Sequence, residues 1–274
     1  MLATPVQLFL AALAGAVAGA VNAIAGGGTL ITFPTLVAIG IPPIIANATS
    51  SVALWPGTLA SMWGYRRVLT GAGAWAVRLA VPSVLGGMLG AILLLRTSED
   101  RFEAIVPLLV LGATVLFMVQ GPLGKWLRER KGPVGTPGTV PDGVGSSDAT
   151  TAMLSPPAMS IVIFQLFVAV YGGYFGAGMG ILMLAALGLV GLQNIHQMNG
   201  LKNWMATCIN VAAVLIFAVS GIVNWPVALA MAVGAALGGY AGSGVAQRVP
   251  QRIVRRGIVA IGLASAIWLA VGRL

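Results

Sequence analysis

Lys202 is the only basic residue set inside an apolar run rather than at its edge, while the acids Glu99, Asp100, Glu103, Glu129, Asp142 and Asp148 all fall in loops. An ionised group within a hydrocarbon layer costs at least ~2.5–3.5 kcal/mol and normally marks a pathway or a paired site. With no carboxylate to pair with, Lys202 suits a bound anion; the competing reading is a side chain that snorkels to the interface. A second source of chemistry is the pair of glycine clusters, Asn22-Ala-Ile-Ala-Gly26-Gly27-Gly28-Thr29 and Tyr174-Phe-Gly-Ala-Gly178-Met-Gly180. Glycine lets a helix stop and restart, and a restarted helix presents amide N–H groups and the positive end of its dipole to an anion. Packing alone also explains glycines, and suffices for Gly86, Gly87 and Gly90. The third source is a polar face, Asn47, Ser50 and Ser51, at helical spacing, with Thr49 beside it. Its later equivalents are Asn199, Lys202 and Asn203. For Thr49 and Ser50, capping or bonding to nearby backbone is an equal alternative.

The elements that must position these groups are written twice, 152 residues apart. Gly26 and Gly28 return as Gly178 and Gly180, and Asn47 returns as Asn199. Gly86, Gly87, Gly90 and Arg96 return as Gly238, Gly239, Gly242 and Arg248. Apolar runs fall at 6–25, 29–41, 44–64, 75–95 and 104–120, then at 158–175, 179–192, 198–220, 226–247 and 253–272. The second run of each half is too short to cross a ~30 Å core as one helix and begins just after a glycine cluster, so each reads as a half-helix. The expected fold is all-α and membrane-integral, with about ten segments in two five-segment repeats, 1–120 and 156–274, joined by a flexible cytoplasmic linker, 121–155.

Counting ten crossings puts Arg66, Arg67, Arg78, Lys125, Arg128, Arg130, Lys131, Arg248, Arg252, Arg255 and Arg256 on one side, against Arg96, Arg101 and Arg273 on the other. The basic side is cytoplasmic, which leaves both termini outside. Five crossings per repeat invert the second copy relative to the first, the architecture of alternating-access carriers.

Composition agrees with the class. Hydrophobic residues make up 58% of the 274, charged residues 8%, and mean hydropathy is +0.96, which leaves too little polar surface for a soluble core. The net charge of +9 sits at segment ends, as membrane orientation requires, and no basic and aromatic residues interleave as nucleic-acid binding would need. Cys208 is the sole cysteine, and no metal-ligand set or cofactor motif is present. One histidine, His196, and no intramembrane acid leave no acid/base pair for a membrane enzyme, and nothing favours an assembly factor. His196 is the one candidate for proton coupling. No basic region precedes the first apolar run, so no cleaved signal is expected. The base rate for symmetric assembly favours a homodimer.

The set Ala25-Gly-Gly-Gly-Thr29 with Pro34, Ala46-Asn-Ala-Thr-Ser-Ser51, Pro56-Gly57 and Gly64-Tyr-Arg-Arg67 resembles the sulfite exporter TauE/SafE family, also called the toluene-sulfonate uptake permeases. Gly176-Ala-Gly-Met-Gly180, Asn199-Gly-Leu-Lys-Asn203 and Gly221-Ile-Val-Asn-Trp225 extend the resemblance through the second half. It implies a secondary carrier in the cytoplasmic membrane for sulfur-containing anions such as sulfite, sulfonates or sulfoacetate. Export is the expected direction, and proton-coupled sulfonate uptake is the alternative. Met179 stands where a fuller glycine run is common.

Overall fold

Along α1 (Pro5–Ile24) and α4 (Gly73–Arg96), small residues collect on the buried face and large apolar residues on the exposed one, which in a bilayer puts the small face inward. The computed structural model describes residues 4–24, 27–64, 73–129, 157–189, 192, 195–245 and 251–272. Among them are ten helices and no strand: α1 (Pro5–Ile24), α2 (Thr29–Ala38), α3 (Pro43–Gly64), α4 (Gly73–Arg96), α5 (Glu99–Glu129), α6 (Met159–Tyr174), α7 (Met179–Leu189), α8 (Ile195–Ser220), α9 (Trp225–Val245) and α10 (Gln251–Val271). The spans Pro5–Asn22, Gly73–Arg96, Glu99–Val119 and Gln197–Ser220 are long and apolar enough to cross a membrane. Thr29–Ala38 and Met179–Leu189 are the two short apolar helices expected after the glycine clusters. The backbone of α5 stays helical through Glu129, past residue 120 where the first repeat was expected to end. Residues 130–156, the rest of the expected linker, lie outside the described residues.

α4 illustrates the inside-out pattern. It buries Ser83, Gly86, Gly87 and Gly90, while Val81, Leu85, Leu89 and Leu93 are more than half exposed. The buried glycines let α6 approach to backbone distance: a Cβ on Gly86 would lie 2.7 Å from the Leu166 carbonyl oxygen, and one on Gly90 would fall on the Val170 carbonyl. α1 and α9 meet the same way, Gly15 against Met231, Gly19 against Ala235, and Gly234 and Gly238 against Ala12 and Ala16. Contact positions advance together along both pairs, so α1 runs parallel to α9 and α4 parallel to α6. The first helix of each half therefore packs along the fourth helix of the other. α3 crosses α8 at the centre, and α5 lies against α10. Interhelical hydrogen bonds from Gln165 Nε2 to Ser83 Oγ at 2.9 Å and from Trp204 Nε1 to the Ala76 carbonyl at 2.9 Å tie α6 and α8 to α4.

The glycines assigned to packing behave as expected at Gly86, Gly87, Gly90 and Gly238, whereas Gly239 has only distant neighbours. Replacing Gly90 by Val must therefore push α4 and α6 apart. We expect Gly90→Val to lower stability by about 1–3 kcal/mol, the cost of overpacking a close contact. Gly112→Ala, in open space on α5, should be neutral or slightly stabilising; thermal unfolding of both purified variants checks this.

Candidate functional site

The first break is built from α1, which ends at Ile24, and α2, which restarts at Thr29. Gly27 has φ +93°, a left-handed conformation that side chains disfavour, and turns the chain back. Gly28 takes the N-cap position of α2, and its N–H donates to Asn22 Oδ1 at 2.7 Å. The far end of α2 is fixed at the level of the start of α1, because Gln7 Nε2 donates to the Ile39 carbonyl at 2.9 Å. Ten residues of helix, about 15 Å, run from the break to that end of α2.

The second break follows α6. The amides of Phe175 and Gly176 fold back to the Tyr171 carbonyl at 2.9 and 3.1 Å. Gly176 and Gly178 both have φ +79°, and Tyr171 Oη donates to the Ala177 carbonyl at 2.6 Å. Asn47 of α3, 1% exposed, donates from Nδ2 to the Tyr174 carbonyl at 2.8 Å, while its Oδ1 has no hydrogen-bond partner. The ring of Phe33 on α2 stands edge-on to Phe175 at 5.3 Å, which joins the two breaks.

Both breaks open onto one cavity of about 160 Å³, roughly ten times what a single water needs by the same measure. Gly27, Gly28 and Thr29 line it from the first break, and Gly176, Gly178, Met179 and Gly180 from the second; Asn22, Ser51 and Lys202 complete the polar wall. Lys202 lies about two turns into α8, and its Cδ is 3.3 Å from where a Cβ on Gly180 would stand. Its side chain thus covers the start of α7 rather than reaching out along the membrane surface. Among the described residues no carboxylate stands beside it. A second, more open hollow of about 470 Å³ carries Glu99 and Glu103, the wrong sign for an anion.

Other expected site residues lie behind this wall. Ser50 is fully buried and shares a 2.6 Å hydrogen bond with Thr32 of α2. Thr49, also fully buried, accepts the Asn224 N–H at 3.1 Å before α9. The phenol of Tyr174 points to Thr97 Oγ1, 3.4 Å away. Asn47, Asn199 and Asn203 do not line the cavity. Gly26 and the side chain of His196 lie outside the described residues. The offset pairs Ser50 with Lys202, yet of the expected polar face Asn47, Ser50 and Ser51 it is Ser51 that reaches the cavity. Thr58 and Asn210 also line the cavity and were not anticipated. They obey the same 152-residue offset, so extending the repeat two turns along α3 and α8 would have found them. Phe117, Phe175 and Leu54 give the cavity its apolar part.

The family described as Sulfite exporter TauE/SafE matches residues 11–269. A Haemophilus influenzae protein named "Probable membrane transporter protein" is 28% identical over 252 residues, covering 89% of this chain and 87% of its own. The Escherichia coli K12 "Probable membrane transporter protein YfcA" is 28% identical over 269 residues, covering 97% of this chain and 90% of its own. A Sinorhizobium protein, "Probable membrane transporter protein ORF9", is 28% identical over 263 residues, with 96% and 90% covered. No solved structure matches the chain.

The left-handed glycines give a test of the break itself. A Cβ at Gly178 would have ordinary space, 3.4 Å from Leu116 Cδ1, so any loss in Gly178→Ala comes from conformation. We expect it to cost roughly 1–2 kcal/mol. Gly180→Ala, in helical geometry against a flexible lysine, should cost much less; thermal unfolding separates the two.

Proposed function

The chain belongs to the sulfite exporter TauE/SafE family, a multi-pass membrane transporter, and from that premise we propose that it moves a small sulfur-containing anion through the cavity between its two helix breaks. One observation carries the reading: both breaks and Lys202 line a single cavity that, among the described residues, has no carboxylate in its wall. The two restarted helices aim amide N–H groups and dipole ends at that space, each favouring negative charge. Lys202 adds a full charge where the low dielectric strengthens it. The cavity's size suits sulfite or a short-chain sulfonate such as sulfoacetate.

Helix directions support the inverted-repeat mechanism. Within a half whose helices alternate in direction, the first and fourth are antiparallel. That α6 runs parallel to α4 and α1 parallel to α9 supports inverted halves, with α6 the counterpart of α1. Two similar units in opposite orientation can open the same cavity to either side in turn. On the charge distribution, both termini face outward and the linker is cytoplasmic. Export is the direction that needs no coupling ion, because with the interior negative each unit charge leaving gains ~2.3 kcal/mol per 100 mV.

Lys202→Ala tests the proposal. At sulfite concentrations near one hundred times Kd, bound anion stabilises the wild-type protein by ~2.7 kcal/mol; the variant should lose that shift and its sulfite flux in proteoliposomes. Wild-type flux should rise with imposed voltage in the direction that carries negative charge outward. Sulfite affinity unchanged in Lys202→Ala would sink the assignment.

A further inference from the structure

The two breaks share glycines at the 152-residue offset, Gly28 and Gly180 among them, yet their helix starts are occupied differently. At the first, the exposed carboxamide of Asn22 lines the cavity and its Oδ1 accepts the Gly28 N–H at 2.7 Å. The fit leaves no room for a side chain at residue 28, since a Cβ there would lie 2.6 Å from Asn22 Nδ2. The equivalent of Asn22 across the 152-residue offset is Tyr174. Its ring is buried against Phe102, with centroids 5.7 Å apart, and its hydroxyl points to Thr97. No corresponding side chain caps the second helix start, and the equivalent of Gly28, Gly180, has the Lys202 methylenes beside it.

A carboxamide oxygen on the N-cap amide at a helix start is, electrostatically, a weak version of an oxyanion oxygen in the same place. We infer that Asn22 is an intramolecular competitor of the transported anion: its oxygen occupies the α2 helix start in the empty protein and is displaced when an anion, held by Lys202 at the α7 start, spans the cavity. This rests on the reading of the cavity as an anion site. It assigns Asn22 the opposite role from a ligand. A ligand's removal weakens binding, whereas a competitor's removal strengthens it. Asn22 is placed for displacement, because it lies on the open side of the cavity and the bond to Gly28 is the one its carboxamide makes among the described residues. The exchange also keeps the α2 start satisfied in both conditions, by the protein when empty and by the anion when loaded.

Equilibrium binding and thermal unfolding of the purified full chain, with sulfite and sulfoacetate as probes, decide the matter. Asn22→Ala should bind sulfite about fivefold more tightly, the fold-change equivalent to a hydrogen bond of ~1 kcal/mol. Its anion-free form should melt at a lower temperature. Asn22→Ser provides a second variant, polar but too short to reach the Gly28 N–H; sulfite should again bind more tightly. Weaker sulfite binding in Asn22→Ala, or in Asn22→Ser should the first variant fail to fold, overturns the competitor role and makes Asn22 a ligand. A wild-type protein that binds neither probe overturns the reading of the cavity itself.

Discussion

Backbone that leaves helical geometry inside a hydrocarbon layer must find its hydrogen bonds within the protein, and the rest of this fold follows from that constraint. A helix that stops inside that layer leaves carbonyls behind it and amides ahead of it, and an unmet buried group costs roughly 1–3 kcal/mol. Here the chain stops twice, and several of those groups have an identifiable partner. Asn22 takes the Gly28 amide, Tyr171 takes the Ala177 carbonyl, and Asn47 takes the Tyr174 carbonyl. The last of these comes from the opposite half, as does the Phe33 ring against Phe175. The second break is not complete within its own half, which is one way the halves interlock.

Close packing of α1 with α9 and of α4 with α6 supplies the rigidity that such breaks require. Where glycine brings backbones together with no space for a Cβ, the helices cannot slide without collision, so each pair moves as a unit. α3 also carries a proline inside the helix. Pro56 and Gly57 are exposed, and Gly57 meets nothing within 4 Å of where its Cβ would stand, whereas Pro82 of α4 is buried. Proline removes one helical hydrogen bond and lowers the cost of bending at that point. Pro56 lies two residues before Thr58 on the cavity wall, where bending of α3 would change access to the cavity.

Much of this arrangement was legible in the sequence because the strongest constraints fall on residue types that cannot be exchanged. Glycines at left-handed turns, a lysine in an apolar run and a fixed offset all leave marks that a single chain reveals. The short helices after the glycine clusters, and the meeting of both clusters with Lys202, were readable for that reason. What the sequence hid was the rotation of α3 about its own axis. Asn47, Ser50 and Ser51 share a helical face, yet a face about 100° wide can serve two neighbours, and Ser50 turns to Thr32 while Ser51 turns to the cavity. Thr49 is drawn away by the Asn224 amide. Such choices depend on how neighbouring helices are angled, which periodicity does not encode. Thr58 and Asn210 were missed for a simpler reason: the offset links two different polar residues there, and identity alone does not register the pair.

The departures from symmetry bear directly on transport. Two identical inverted halves would give inward-open and outward-open forms of equal energy when empty, and a site on the pseudo-twofold axis would hold the anion equally well in both. A ligand shifts an equilibrium only by its difference in affinity between the states. Lys202 belongs to α8 alone, and Asn22 serves the first break alone. On the proposed mechanism, rocking of one half against the other moves the lysine relative to two helix starts that are not alike, so the two open forms differ in their hold on an anion. Voltage and concentration still set the direction of net flux, and the asymmetry tunes how readily the anion loads and leaves on each side.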